Sequence, residues 1–166
     1  MSKEKLLKTL TNGLLYGMKV SYKLSDVNDL SEWQKDAVIE KTLCFKNIDF
    51  FSKYGKPHLR KLDLTKPLED GTIPMRELFE IAFGHDNCEI GYKNGYYFAQ
   101  DCLREIKFYP SIAGYDDENC FLISQLDQEG DCWNPPFDQK DLFDYLKSKH
   151  FNIEGLEENE FIEIEY

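Results

Sequence analysis

No run in this chain approaches the ~20 consecutive apolar residues that a membrane-spanning helix needs. The opening stretch, Met1 to Leu10, has neither a long apolar core nor a small-residue cleavage site, so it does not read as a secretion signal. Cations are also short: 20 Lys+Arg stand against 31 Asp+Glu, a net charge of −11. That balance argues against a general nucleic-acid binder, which needs cations for phosphates. No G-x-S-x-G, phosphate-binding loop or dinucleotide fingerprint occurs, which removes the familiar sequence routes to hydrolase and nucleotide chemistry. No internal repeat or low-complexity tract is present. Five cysteines, an odd number, suggest reduced thiols rather than a disulfide framework. The expectation is a soluble protein of the cytosol.

What the 166 residues do contain is a globular composition, 42% apolar and 14% aromatic, enough for one domain with a sizeable core. The charge is split along the chain. Residues 1–66 carry 13 Lys+Arg and 8 Asp+Glu, a net of +5, and residues 67–166 carry 7 and 23, a net of −16. Solvated surface charge explains this in the simplest way. The sharper explanation is an acidic face that binds a basic partner or imitates nucleic acid.

The clearest architecture lies between Phe137 and Tyr166. Asp138 can cap a helix that carries Leu142, Phe143, Leu146 and His150 on one face, with Lys147 and Lys149 in its last turn. Gly155 then supplies a left-handed turn, and Phe161, Ile162 and Ile164 continue as a strand. At the other end, Leu6, Leu7, Leu10 and Leu14 share a face of a helix over residues 2–15. Met18, Val20 and Tyr22 alternate as a strand. Residues 37–45 and 48–52 read as two more strands; the first does not alternate cleanly, which points to a bulge or a buried strand. Tyr54-Gly55-Lys56-Pro57 reads as a break before an extended run from His58 to Leu64. Together these segments predict a small N-terminal antiparallel sheet or β-barrel.

Thr65 to Thr72, with Pro67 and Asp70-Gly71, is a connector and the best internal boundary within a single domain. Pro74 starts a helix that runs to Phe83 and stops at Gly84. Asn94-Gly95 between apolar runs predicts a β-hairpin. Residues 103–109 and 120–126 predict further strands, and residues 114–118 a turn. Residues 128–136 read as a loop. The fold class expected is therefore α+β, mainly antiparallel, with N-terminal, middle and C-terminal helices and a closing strand.

Three segments resemble a family of small proteins encoded by phages and prophages of gut bacteria. They are Leu14-Leu15-Tyr16-Gly17-Met18-Lys19-Val20, Lys56-Pro57-His58-Leu59-Arg60-Lys61-Leu62, and Leu142 through Phe151-Asn152-Ile153-Glu154-Gly155-Leu156. The family pairs a leading helix and an LPYG-V-V strand with a KPYLRPL strand and closes on a WHFD--GLI helix-turn. Here His58 replaces the usual Tyr, Lys61 the Pro, and Lys149 the Trp. The family has no assigned activity, so it supplies no catalytic residue. What the resemblance implies is a phage setting and an accessory role; taken with the absence of catalytic motifs and the acidic, aromatic-rich composition, it leads to the expectation of a protein that binds and modulates a host protein, such as one of an antiviral defence system.

The chemistry-bearing groups are few. His85 and Cys88 lie three apart, and Cys102, Cys120 and Cys132 are scattered. A zinc site needs about four ligands close together, and this spacing matches no zinc pattern. The expectation is no metal and no cofactor, with these cysteines acting as small core residues. A small hydrolase or nucleotide-binding enzyme using the His85/Cys88 region is a competing reading. Acids crowd three turns: Asp116, Asp117 and Glu118; Asp127, Glu129 and Asp131; and Glu157, Glu158 and Glu160. The adjacent rings Tyr96-Tyr97, Phe50-Phe51 and Phe108-Tyr109, if in strands, put one ring inward and one outward. The residues expected to meet a partner are thus Asp116, Asp117, Glu118, Glu157, Glu158, Glu160, Tyr96 and Tyr97.

Overall fold

The structure is a computed structural model that describes residues 3–27, 37–110, 119–126, 131–133 and 138–165. It is an α+β fold with four helices and two sheets. The chain forms two compact units. The first comprises residues 1–61 and 147–165, and the second comprises residues 62–146.

In the first unit, helix α1 (Lys3–Gly13) buries Leu6 and Leu10, while Leu7 of the predicted stripe is exposed. Strand β1 (Lys19–Lys23) pairs antiparallel with β2 (Val38–Thr42) and with β3 (Lys56–Leu59), and β3 pairs in parallel with the two-residue β9 (Ile162–Glu163). The order β2-β1-β3-β9 is an open, mixed sheet, so the expected barrel does not close among the described residues, and the sheet is not purely antiparallel. The β1–β2 register runs unbroken from Lys19↔Thr42 to Lys23↔Val38 and β2 is mostly exposed, so it is neither bulged nor buried. Val20 joins Leu6, Leu10, Met18, Phe51, Leu59 and Phe161 in the core of this unit.

The strand expected over residues 48–52 is instead helix α2 (Ile48–Tyr54). Its start is built by Asn47, whose Oδ1 accepts from the Cys44 N–H at 2.8 Å and whose Nδ2 donates to the Thr42 carbonyl at 3.2 Å. Ile48 and Phe51, three apart, then face the core, and the Phe50 ring meets Tyr22 edge-on at 4.9 Å. No gap follows: Gly55 is extended and β3 begins at Lys56, so residues 56–57 are strand rather than break. The final strand is shorter than expected, although the Ile164 N–H still donates to Leu59 O at 2.8 Å.

In the second unit, Asp63 and Asp70 each accept from the backbone N–H and hydroxyl of a threonine two residues on, which organises residues 63–72 as turns. Helix α3 (Pro74–Phe83) has Pro at its start and ends at Gly84, whose N–H donates to Glu80 O at 2.7 Å. The second sheet is antiparallel, in the order β4 (Glu89–Lys93), β5 (Tyr96–Gln100), β6 (Arg104–Tyr109), β7 (Cys120–Leu126), β8 (Cys132–Trp133). The β4–β5 hairpin turns on Asn94 (φ 49°) and Gly95 (φ 86°); two consecutive positive φ angles are what Asn-Gly accommodates best.

Ala99, Ile106, Phe108, Phe121 and Ile123 line the inner face of this sheet, with Leu78 and Phe79 of α3 also buried in the unit. Helix α4 (Lys140–Ser148) adds Leu142 and Leu146, and its Phe143 ring meets Phe121 edge-on at 5.0 Å. The Asp138 carboxylate accepts from the Lys140 N–H at 2.9 Å, as expected of a cap. Just before α4, the Gln139 side chain both accepts from the Phe121 N–H and donates to the Phe121 carbonyl, each at 3.1 Å.

Candidate functional site

The outer face of the second unit's sheet is built by strict alternation, so its residues follow from the registers. One row runs Lys93, Tyr96, Tyr109, Cys120, and the next runs Gly91, Phe98, Lys107, Leu122. Tyr96 and Tyr109 are 4.9 Å apart between ring centroids. The Lys93 ammonium lies 4.3 Å from the Phe98 ring centre and the Lys107 ammonium 5.6 Å from that of Tyr96, both within cation–π range. Phe98 occupies the space that a side chain at position 91 would fill: a Cβ on Gly91 would come within 2.6 Å of the ring. Phe98 is therefore only 8% exposed, whereas Leu122 is 54% exposed. Burial raises the Tyr109 hydroxyl pKa, so this ring stays neutral.

Of the expected partner residues, Tyr96 lies on this outer face. Tyr97 points the other way and donates its hydroxyl to Leu62 O. Phe108 is inward and its neighbour Tyr109 outward, while Phe50 and Phe51 sit on a helix, where the strand argument does not apply. Asp116, Asp117, Glu118, Asp127 and Glu129 lie outside the described residues, and Asp131 is exposed.

The acids of the C-terminal segment do not stand alone. Glu158 and Glu163 contact the Lys61 ammonium at 2.9 and 3.2 Å, and Glu154 contacts Lys8 at 2.9 Å. The two carboxylates raise the Lys61 pKa. Glu160 accepts from the Glu157 N–H at 2.8 Å, a local turn contact. The charge thus divides differently in space than along the chain. Residues 62–146 hold 6 Lys+Arg and 18 Asp+Glu, a net of −12; residues 1–61 and 147–165 hold 14 and 13, a net of +1.

His85 and Cys88 do not form an activated pair. Arg104 donates to His85 Nε2 at 2.7 Å, and Asp101 lies 3.3 Å from the same nitrogen. Burial pushes the Cys88 thiol pKa up, away from the reactive thiolate. Among the described residues, no group of three or more His, Cys, Asp or Glu is placed to hold a metal ion. Among them, too, no helix is long and apolar enough to cross a membrane.

A second constellation was not visible in the sequence. Ser21 of β1 sits opposite Glu40 of β2 and Lys56 of β3, and His58 is two residues along β3 on the same face. The Ser21 hydroxyl is 2.7 Å from His58 Nε2, and Glu40 Oε2 is 3.9 Å from His58 Nδ1. Lys19 holds the other Glu40 oxygen at 2.8 Å and, chiefly through that hydrogen bond, lowers the Glu40 pKa. Burial lowers the His58 pKa, leaving a neutral imidazole at pH 7. The only trace in the sequence is Ser21 standing between the inward Val20 and Tyr22; strand register supplies the rest. No family model matches this chain, and no curated protein or solved structure matches it.

Proposed function

We propose that this chain is a phage accessory protein that binds and modulates a host protein in the host cytosol, in the manner of an inhibitor of antiviral defence. The phage setting rests on the resemblance of the three segments described above. The observation that carries the binding role is the outer face of the second sheet, where Tyr96, Tyr109 and the exposed Leu122 lie together in a unit of net charge −12. Aromatic anchors in a charged surround are the usual energetic centre of a protein interface. The partner that fits is a basic protein, drawn by the unit's net charge, with an apolar patch that also meets Lys93 and Lys107. A cationic nucleic-acid site on such a protein is the second reading, favoured by the 18 acids of residues 62–146.

The test compares capture from host lysate by the native chain and by a Tyr96→Ala/Leu122→Asn variant whose folding is verified by circular dichroism. One stoichiometric partner is expected, lost in the variant and weakened as salt rises. Equal capture by both proteins refutes the assignment of this face. Absence of any partner, together with turnover of a nucleotide panel, refutes the binding role.

A further inference from the structure

We propose that the first unit carries a serine nucleophile, Ser21, activated by His58 and set against a cavity that admits short-chain carboxylic esters. This goes beyond the binding role and rests on different residues in a different unit. The geometry is that of a hydroxyl, an imidazole and a carboxylate in series. With the Ser21 hydroxyl donating to His58 Nε2 at 2.7 Å, the ring proton resides on Nδ1, which faces Glu40 Oε2 at 3.9 Å. Glu40 touches no substrate in this arrangement and, beyond hydrogen-bond reach of that nitrogen, is a positioning residue that acts on the ring through its charge.

The hydroxyl has somewhere to act. A cavity of about 400 Å³ opens beside it; its lining includes Ser21, Val38, Tyr54 and Ile162 together with the charged residues Lys23, Asp26 and Lys56. Ser21 itself is 4% exposed, so it lies at the cavity wall rather than on the open surface. Val38, Tyr54 and Ile162 suit a short apolar acyl chain. Lys23 and Lys56 bring two cations to the same cavity against the one anion, Asp26, a net positive charge of the sign that a developing oxyanion requires.

The step balances without a co-reactant other than water. Ser21 Oγ bonds to the ester carbonyl carbon as its proton passes to His58 Nε2. The carbon–oxygen bond to the leaving group breaks, and the alcohol departs with that proton. Water then adds to the acyl-serine, giving a proton to Nε2. The bond to Oγ breaks, the proton returns to Oγ, and a carboxylic acid leaves.

The experiment uses the full chain, a fluorophosphonate label read by intact mass and peptide mapping, and p-nitrophenyl butyrate turnover. The expected result is one label per chain on Ser21, abolished by Ser21→Ala, with turnover reduced at least about 100-fold by His58→Gln. Glu40 raises the His58 pKa and Lys19 lowers it, against the larger effect of burial. Glu40→Gln should therefore move the rising limb of the pH–rate profile to lower pH, a change that a purely structural role would not produce. If Ser21→Ala fails to fold by circular dichroism, the mapped label position and the folded His58→Gln variant decide. A native chain that neither labels nor turns over, or a label mapping elsewhere than Ser21, overturns the proposal.

Discussion

Among the described residues no strand lies beside the start of β7, and Gln139 takes that place. Its side-chain amide meets both the N–H and the carbonyl of Phe121 at 3.1 Å, near the start of β7, while β8 pairs only with Gln125 and Leu126 at the other end. Replacing it with Ala removes two hydrogen bonds, each worth about 0.5–1.5 kcal/mol net, and we expect a loss of about 2 kcal/mol. For a unit of 60–100 residues that lowers the melting temperature by roughly 8–16 °C. Gln139→Glu is more diagnostic. It keeps the acceptor but turns a carboxylate oxygen toward the Phe121 carbonyl, so its folded-state pKa should rise above the unfolded value of about 4.3. The stabilising contact is then present below that value and lost as pH rises through the folded pKa. Gln139→Glu should match or exceed the Ala defect at pH 7 and recover toward the parent near pH 4. Urea unfolding and amide exchange at Phe121 measure both. If Gln139→Ala stays within 0.5 kcal/mol of the parent (about the resolution of such measurements) with unchanged Phe121 protection, the reasoning is wrong.

Three further outcomes are expected. Asn152 clasps Leu156 in the same manner, donating to its carbonyl at 2.8 Å and accepting from its N–H at 2.9 Å, so Asn152→Ala should cost about 2 kcal/mol in the first unit, read as faster exchange of the Leu156 amide. His58 and His150 both have pKa values lowered mainly by burial, so their contribution to stability is full above about pH 6.5 and declines as pH falls from there toward the folded values. His150→Asn, which tolerates the positive φ of 58° at this position, should flatten the fall in melting temperature between pH 7.5 and 5.5, and an unchanged slope would contradict the assignment. Gly91→Ala should expel the Phe98 ring from its place, visible as a shift of the Phe98 ring resonances and weaker partner capture with little change in global melting temperature.

Much of the second unit was legible because its signals are local. Pro74 and Gly84 bracket α3, Asp138 starts α4, and Asn94-Gly95 makes its hairpin from the backbone freedom of two residues. The first unit was less legible because its decisive contacts are remote. Ile48 to Ser52 carries two adjacent phenylalanines that suit either period, and Asn47 gripping Thr42 and Cys44 selects the helix. The β3–β9 pair spans only two residues on each side and joins His58 to Ile162, so neither segment announces the other. The same holds for the candidate sites. Alternation says that one of Tyr96 and Tyr97 faces outward but not which, whereas the Ser21–His58–Glu40 series needs the registers of three strands. The acids at 157–163 looked like one face until Lys61 was seen among them.

The two crossings of the chain, at Leu62 and at Lys147, carry a consequence for biosynthesis. Residues 62–146 are continuous and emerge from the ribosome before β9 exists, so the second unit can fold while the first still lacks an edge of its sheet. The first is completed only when Arg60 pairs with Phe151, the Asn152 N–H reaches Arg60 O at 2.9 Å, and Ile162 joins His58. Closing that connection across a disordered insertion carries an entropy cost that grows with its length, and prior folding of the insertion shortens the effective loop. Lesions in residues 62–146 should therefore slow the maturation of a part of the protein that they do not belong to, and nascent chains released before Ile162 should expose the edge of β3 to whatever strand is nearby.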